Sequence, residues 1–148
     1  MKAITLYDPW ATLVVLGEKK FETRSWSTSY RGLLAIHVSK KFTVEMHELW
    51  ETWERGLCPA LKERTLWPPK FGCIIGTVEV VGMHRAEALR RRGLTIKELT
   101  FGNFDDGRWA WELQNPQRLT TPVPCRGSMG IWTVPPEIAE SVLVLEKG

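Results

Sequence analysis

The chain has 148 residues, 43% hydrophobic and 25% charged, with a net charge of +3. That length and balance predict a single domain over residues 1–148 with a core of its own, and leave no need for a disulfide framework or structural metal. No apolar run is long enough to span a bilayer, MKAITLYDPW lacks a signal-peptide pattern, and Cys58, Cys73 and Cys125 show no C-x-x-C or zinc-finger spacing, so free thiols in a reducing cytoplasm, no membrane and no cofactor are expected.

In chain order, KAITL (2–6) predicts a short strand. Asp8 suits a helix N-cap and Pro9 the first helical position, where a missing N–H costs nothing. Trp10–Leu16 then reads as a helix of about two turns, ended by Gly17. The chain re-enters as a strand over Lys20–Trp26, with Glu22, Arg24 and Trp26 on one face and Phe21 and Thr23 on the other. Phe21 is expected in the core. Tyr30-Arg31-Gly32 reads as a turn, and Leu33–Ser39 as an apolar central strand. Thr43 caps a predicted helix to Arg55, with Met46, Leu49, Trp50 and Trp53 on one stripe and Gly56 as the stop. Leu57–Lys70, with its prolines, reads as a loop.

Gly72–Met83 is a long β-branched strand in which Gly76 signals a bulge or bend. His84–Arg92 reads as a basic helix, Ile96–Leu99 as a connection, and Asp105-Asp106-Gly107 as a turn into the strand Arg108–Leu113. Gln117–Pro124 contains prolines and is expected to be irregular, an edge segment at best. Gly127–Val134 predicts a strand, and Pro135-Pro136 a C-terminal helix with Ile138, Val142 and Leu145 inward. About six strands with three or four interspersed helices predict an α+β fold: a small, mostly antiparallel β-barrel with helices packed outside.

The stretch GEKKFETRSW (17–26) concentrates charge directly after an apolar helix. Arg24 offers a planar donor fork, and Lys19 a point charge whose pKa falls when it is desolvated. Glu22 or Glu79 can accept from an exocyclic amine. Eight tryptophans are present. Most suit core packing, but Trp10, Trp26 or Trp109 can stack on a base. The competing reading of Lys19, Glu22 and Arg24 is a structural ion-pair network closing one end of the barrel. His37, in an apolar strand, reads as a hydrogen-bonded core histidine ahead of a catalytic base. Glu79 can face solvent or cleft, and Arg90-Arg91-Arg92 reads as a solvated helix end.

Gly17-x-Lys19-x-x-Glu22-x-Arg24 resembles the G-x-K-x-x-E-x-R signature of the ASCH domain family. Asp8-Pro9-Trp10-Ala11 resembles that family's "QPWA" entry, with Asp8 where Gln is common. Tyr30-Arg31-Gly32 through His37-Val38-Ser39-Lys40 resembles its "YRG…IHASK" strand. Ile75-Gly76-Thr77-Val78-Glu79, Gly107-Arg108-Trp109-Ala110-Trp111 and Gly127-Ser128-Met129-Gly130-Ile131-Trp132 are similar to later family strands. The resemblance covers most of the chain and looks nearest to small stand-alone bacterial-type members. It implies a PUA-like barrel with a cleft for RNA or a nucleotide-like ligand, lined by the signature residues. One branch is similar to N4-acetylcytidine amidohydrolases, whose Lys, Thr and Glu carry the chemistry. The Lys falls on Lys19 and the Glu on Glu79, but the Thr position falls on Glu22, which removes the hydroxyl. Another branch has ribonuclease activity.

Three functions follow as expectations. The first is a binding module for RNA or a nucleoside, nucleotide or nucleobase, with ligand contacts from Trp10, Lys19, Glu22, Arg24, Ser25, Trp26, Tyr30, His37 and Trp109. The second is a metal-independent hydrolase in which Lys19 is base or activator, Glu22 or Glu79 moves the proton, and Arg24 orients the ligand. The third is a protein-interaction module using the Trp-rich loop 57–71. A monomer is expected.

Overall fold

The computed structural model describes residues 1–147, and the side chains of residues 1–144. One six-stranded sheet organises the chain. Its strands are β1 (Lys2–Leu6), β2 (Phe21–Arg24), β3 (Gly32–Val38), β4 (Cys73–Arg85), β5 (Trp109–Pro124) and β6 (Ile131–Thr133), in the order β2-β5-β4-β3-β1-β6. Only β1 and β3 run parallel, from Lys2 opposite Leu34 to Leu6 opposite Val38, and the other pairs are antiparallel. The α-helices are α1 (Trp10–Val15), α2 (Val44–Arg55), α3 (Ala86–Arg92), α4 (Ile96–Phe101) and α5 (Pro136–Lys147). None among the described residues is long and apolar enough to cross a membrane.

Alternation along the central strands sets two cores. Ile4, Leu6, Leu34, Ile36 and Val38 turn to one face, against Ala11, Val14 and Val15 of α1 and Trp111 of β5. Ala3 and Ala35 turn to the other, against Trp132 and the α5 residues Ala139 and Val142. β3 is thus buried on both faces, as its near-continuous apolar run, interrupted only by His37, requires. A third cluster joins Leu13 to Trp50 and Trp53 of α2 and to Phe101. Phe21 is half-buried and packs on a fourth, with Phe104 and Ala110.

The sheet curls. In a flat sheet β2 and β1, four places apart in the order, would stand about 20 Å from each other. Instead Glu22 and Arg24 of β2 wall the same hollow as Thr5 and Leu6 of β1. Bulges in β4 supply curvature, one of them between Ile74 and Gly76. A Cβ on Gly76 would lie 2.4 Å from the Gln117 carbonyl oxygen and 2.7 Å from a Val15 methyl. Glycine here lets α1 sit directly on the bend.

Several expectations change. Helix α1 lies within the concave face, where residues 11–15 are all buried, and not outside it. Pro9, not Asp8, occupies its cap position, although Asp8 Oδ1 still accepts from the Thr12 N–H at 2.9 Å. Gly17 does end the turn, at φ 77°. Strand β2 stops at Arg24, and Ser25–Trp26 form a bend. His84 and Arg85 belong to β4, and Ile96–Phe101 is a helix, not a connection. Gln117–Pro124 continues β5 and pairs with β4. Its prolines are tolerated because β2 pairs only with Trp109–Glu112, which leaves the outer edge of residues 117–124 without a strand partner among the described residues. Two 3-10 turns, Pro59–Lys62 and Arg64–Leu66, interrupt the expected loop. The inward side chain expected at Leu145 lies outside the described side chains.

Candidate functional site

The bend after α1 buries a lysine. Gly17 turns the chain, the Glu18 and Lys19 N–H groups both donate to the Leu13 carbonyl at 2.9 and 3.1 Å, and β2 begins at Phe21. Lys19 is only 2% exposed. Its Nζ donates to the Phe21 carbonyl and lies 3.7 Å from Glu22 Oε1, an ion-pair distance. Glu22 Oε2 in turn lies 3.5 Å from Arg24 Nη2. Burial holds the Lys19 ammonium below its ordinary pKa, against the pull of the Glu22 and Glu98 carboxylates. Glu98 is buried behind it. Its Oε1 accepts from the Lys20 N–H at 3.1 Å, and burial raises its pKa.

These groups open onto a cleft of about 760 Å³ walled by four distant segments. Residues 5–10 contribute Tyr7 and Trp10, and β2 contributes Glu22, Thr23 and Arg24. The stretch after α4 contributes Asn103 and Arg108, and the loop before β6 contributes Ser128 and Met129. Arg108 is fixed in place by bonds from Nε to the Asn103 carbonyl and from Nη2 to the Thr23 carbonyl, both 3.1 Å. The cleft therefore presents Lys19, Arg24 and Arg108 against a single carboxylate, Glu22. Half-buried Trp10, braced edge-on by Trp53 at 6.0 Å, and exposed Tyr7 stand beside them.

Of the residues singled out in the sequence, the fold brings Trp10, Lys19, Glu22 and Arg24 together in this cleft. It does not bring the others to that wall. Glu79 lies on β4, where its Oε1 accepts from Asn115 Nδ2 at 3.4 Å. Ser25 and Trp26 are exposed past the end of β2, and the Trp26 ring meets the Trp111 ring edge-on at 4.9 Å. The Tyr30 hydroxyl donates to the Leu33 carbonyl. Trp109 lies under the Arg85 guanidinium at 4.3 Å.

His37 lines a neighbouring hollow and is fully engaged. Its Nε2 is 2.6 Å from the Cys125 carbonyl, which can only accept, so Nε2 carries the proton. Its Nδ1 is 3.1 Å from Thr5 Oγ1, which itself accepts from Trp132 Nε1 at 3.1 Å. This is the hydrogen-bonded core histidine of the sequence reading, bracing the strand beside the cleft.

The cleft also contains Tyr7, Thr23, Asn103, Arg108, Ser128 and Met129, which the sequence does not single out as ligand contacts. Strand alternation places Thr23 on the face opposite Glu22, yet its hydroxyl accepts from the Asn103 N–H at 3.1 Å at the cleft wall. Asn103, Arg108, Ser128 and Met129 come from segments that only the fold brings near Lys19; Arg108, Ser128 and Met129 lie in stretches similar to family strands, a signal that marks the segment and not the side chain.

Comparison with known proteins agrees with this architecture. Residues 4–122 match the model of the ASCH domain family. Activating signal cointegrator 1 of Homo sapiens and of Mus musculus are each 26% identical over 137 residues, covering 91% of this chain and 22% of theirs. The chain thus spans about a fifth of the length of the curated relatives it matches. The crystal structure of ASCH from Zymomonas mobilis superposes with a TM-score of 0.59 at 12% identity, covering 97% of this chain and 94% of that one. A point variant of the same protein gives 0.58 at 13% identity, covering 97% and 96%.

Proposed function

We propose, for a chain that belongs to the ASCH domain family, that the cleft binds a nucleobase or nucleotide, free or within RNA. The observation that carries this reading is the cleft wall itself, where three cations and one carboxylate stand beside Trp10 and Tyr7. Arg24 and Arg108 suit a phosphate or a base carbonyl edge. Glu22, held by Lys19 and Arg24, suits an exocyclic amine. Trp10 supplies a flat face, worth roughly 1–3 kcal/mol per stacked base.

Titration with nucleosides, nucleoside monophosphates and short RNAs tests this. Wild type should bind at least one of them, and Arg24→Ala and Trp10→Phe should separate charge from stacking. Arg24 is partly exposed, its side chain 28% accessible, so its removal spares the core and should weaken phosphate-bearing ligands about tenfold or more. Equal, negligible binding by wild type and Arg24→Ala across the panel refutes the proposal.

One observation favours a second reading, a hydrolase of modified nucleosides. A lysine held below its ordinary pKa sits 3.7 Å from a carboxylate at a cleft wall that also carries the Thr23 hydroxyl. Lys19 would then act as base and Glu22 would move the proton. Acylated cytidines are the assay: turnover should disappear in Glu22→Gln and in Lys19→Met. Background rates in the wild type leave the binding reading alone.

A further inference from the structure

A second hollow, of about 870 Å³, adjoins the cleft. The two share Thr5, Ser39, Ser128 and Met129, so they meet along one rim, and Met129 stands on it 94% exposed. The chemistry of the second hollow differs from that of the first. No Asp or Glu lines it, while Lys40 and Arg126 both do. Among the described residues neither cation has a carboxylate within 4.0 Å. Its far wall is Phe71, 39% exposed, whose ring leans on Phe42 at 5.4 Å. Beyond them Phe42 approaches Trp67 at 6.1 Å, and Trp67 stacks on His47 at 4.9 Å.

Gly127 keeps the floor open. A Cβ there would lie 2.6 Å from His37 Cε1 and 2.8 Å from Thr5 Oγ1, so the backbone runs directly over the braced histidine. The floor is a rigid hydrogen-bonded surface, and the free charges stand at its edge. Two unpaired cations beside an exposed aromatic face, one step from a nucleotide-sized cleft, match the repeat of a single strand: base, phosphate, base.

We propose that this second hollow is a phosphodiester and base subsite, and that the ligand class is a single-stranded oligonucleotide of at least two nucleotides. The proposal rests on the nucleotide reading of the first cleft. Lys40 and Arg126 hold the phosphate that follows the cleft-bound nucleotide. Phe71 stacks the next base, and Ser39 and Ser128, on the shared rim, offer hydroxyls to the sugar between. A duplex is excluded because its bases are already stacked on each other.

The test compares nucleoside monophosphates, single-stranded oligoribonucleotides of two, four and six residues, the matching duplex, and an acidic peptide of equal charge. The proteins are wild type, the double variant Lys40→Ala/Arg126→Ala, and Phe71→Ala. Both cations are exposed, so the double variant should keep its fold, which circular dichroism checks. Oligomers should bind wild type at least tenfold more tightly than monophosphates do. The double variant should lose that advantage, keep monophosphate affinity, and lower the slope of log K against log salt by about 0.7 for the one phosphate no longer neutralised. Phe71→Ala should weaken oligomers about fivefold or more and leave monophosphates alone.

If monophosphates bind but oligomers gain nothing, or the double variant keeps the gain, the second subsite is refuted while the first cleft stands. An acidic peptide or duplex that competes as well as the single strand also refutes it. If neither monophosphates nor oligomers bind wild type, both readings fall together.

Discussion

At the residue scale, burial of charge is what sets the site apart. Lys19 is desolvated yet held by a backbone carbonyl and a carboxylate, so it is both an anchor for the bend and a cleft group. Asp8 shows the cost of burial more simply. Burial pushes its carboxyl up from 3.8 to about 6, opposed only by its bonds to Thr12. A carboxyl whose pKa rises on folding favours the fold while it is protonated. That contribution is complete below about pH 4 and is lost as the pH rises through about 6. Asp8→Asn keeps an oxygen for the Thr12 N–H and cannot ionise. Denaturant titrations should show the variant more stable than wild type at pH 7.5, by up to roughly 3 kcal/mol, with the difference shrinking toward pH 4. Parallel stability–pH curves for the two proteins would show that Asp8 does not carry this charge penalty.

At the element scale, what the sequence revealed depended on whether the signal was local. Gly17 and the Thr43 cap are self-contained, and both are as read: Thr43 Oγ1 accepts from the Met46 N–H at 3.2 Å. Thr43→Ala should therefore cost about 1 kcal/mol, measured by chemical denaturation. The bulge at Gly76 was also legible, because glycine in a β-branched run has few other reasons to be there. Gly76→Ala should lower the melting temperature by far more than a surface change, since its methyl would meet Gln117 backbone and Val15. A variant that melts with wild type would show that the bend can yield.

Helix α4 escaped because Ile96 and Leu99 are exposed, so its apolar positions do not mark a buried stripe. Thr95-x-x-Glu98 is nonetheless a capping-box spacing, and Thr95 Oγ1 does accept from the Glu98 N–H at 3.1 Å. The second half of β5 escaped for a different reason. Pro122 and Pro124 argue against a central strand, and only the tertiary structure shows that β2 ends before reaching them.

At the scale of the whole molecule, the cleft lies where the two ends of one curled sheet approach each other. The sequence exposed its first wall, since Lys19, Glu22 and Arg24 are neighbours along the chain. It could not expose Arg108 or Ser128, which reach the cleft only through the curl. This arrangement predicts a pattern in hydrogen exchange. Amides of β3 and the middle of β4, paired on both sides, should exchange only through global opening. Those of three-residue β6, an edge strand, should exchange fastest among the strands. A saturating ligand should slow exchange in β2 and in residues 128–131 together. Protection of one side without the other would place the ligand elsewhere.

The pairing of β1 with β6, Lys2 opposite Thr133, has a consequence for biosynthesis. The first strand leaves the ribosome well over a hundred residues before its outer neighbour exists, and the loop that completes the cleft arrives only just ahead of that neighbour. A nascent chain can shape the inner helix and the middle strands early, but it has no finished receptacle until residues 128–133 have been added. The cleft is thereby closed only in chains extended through Thr133.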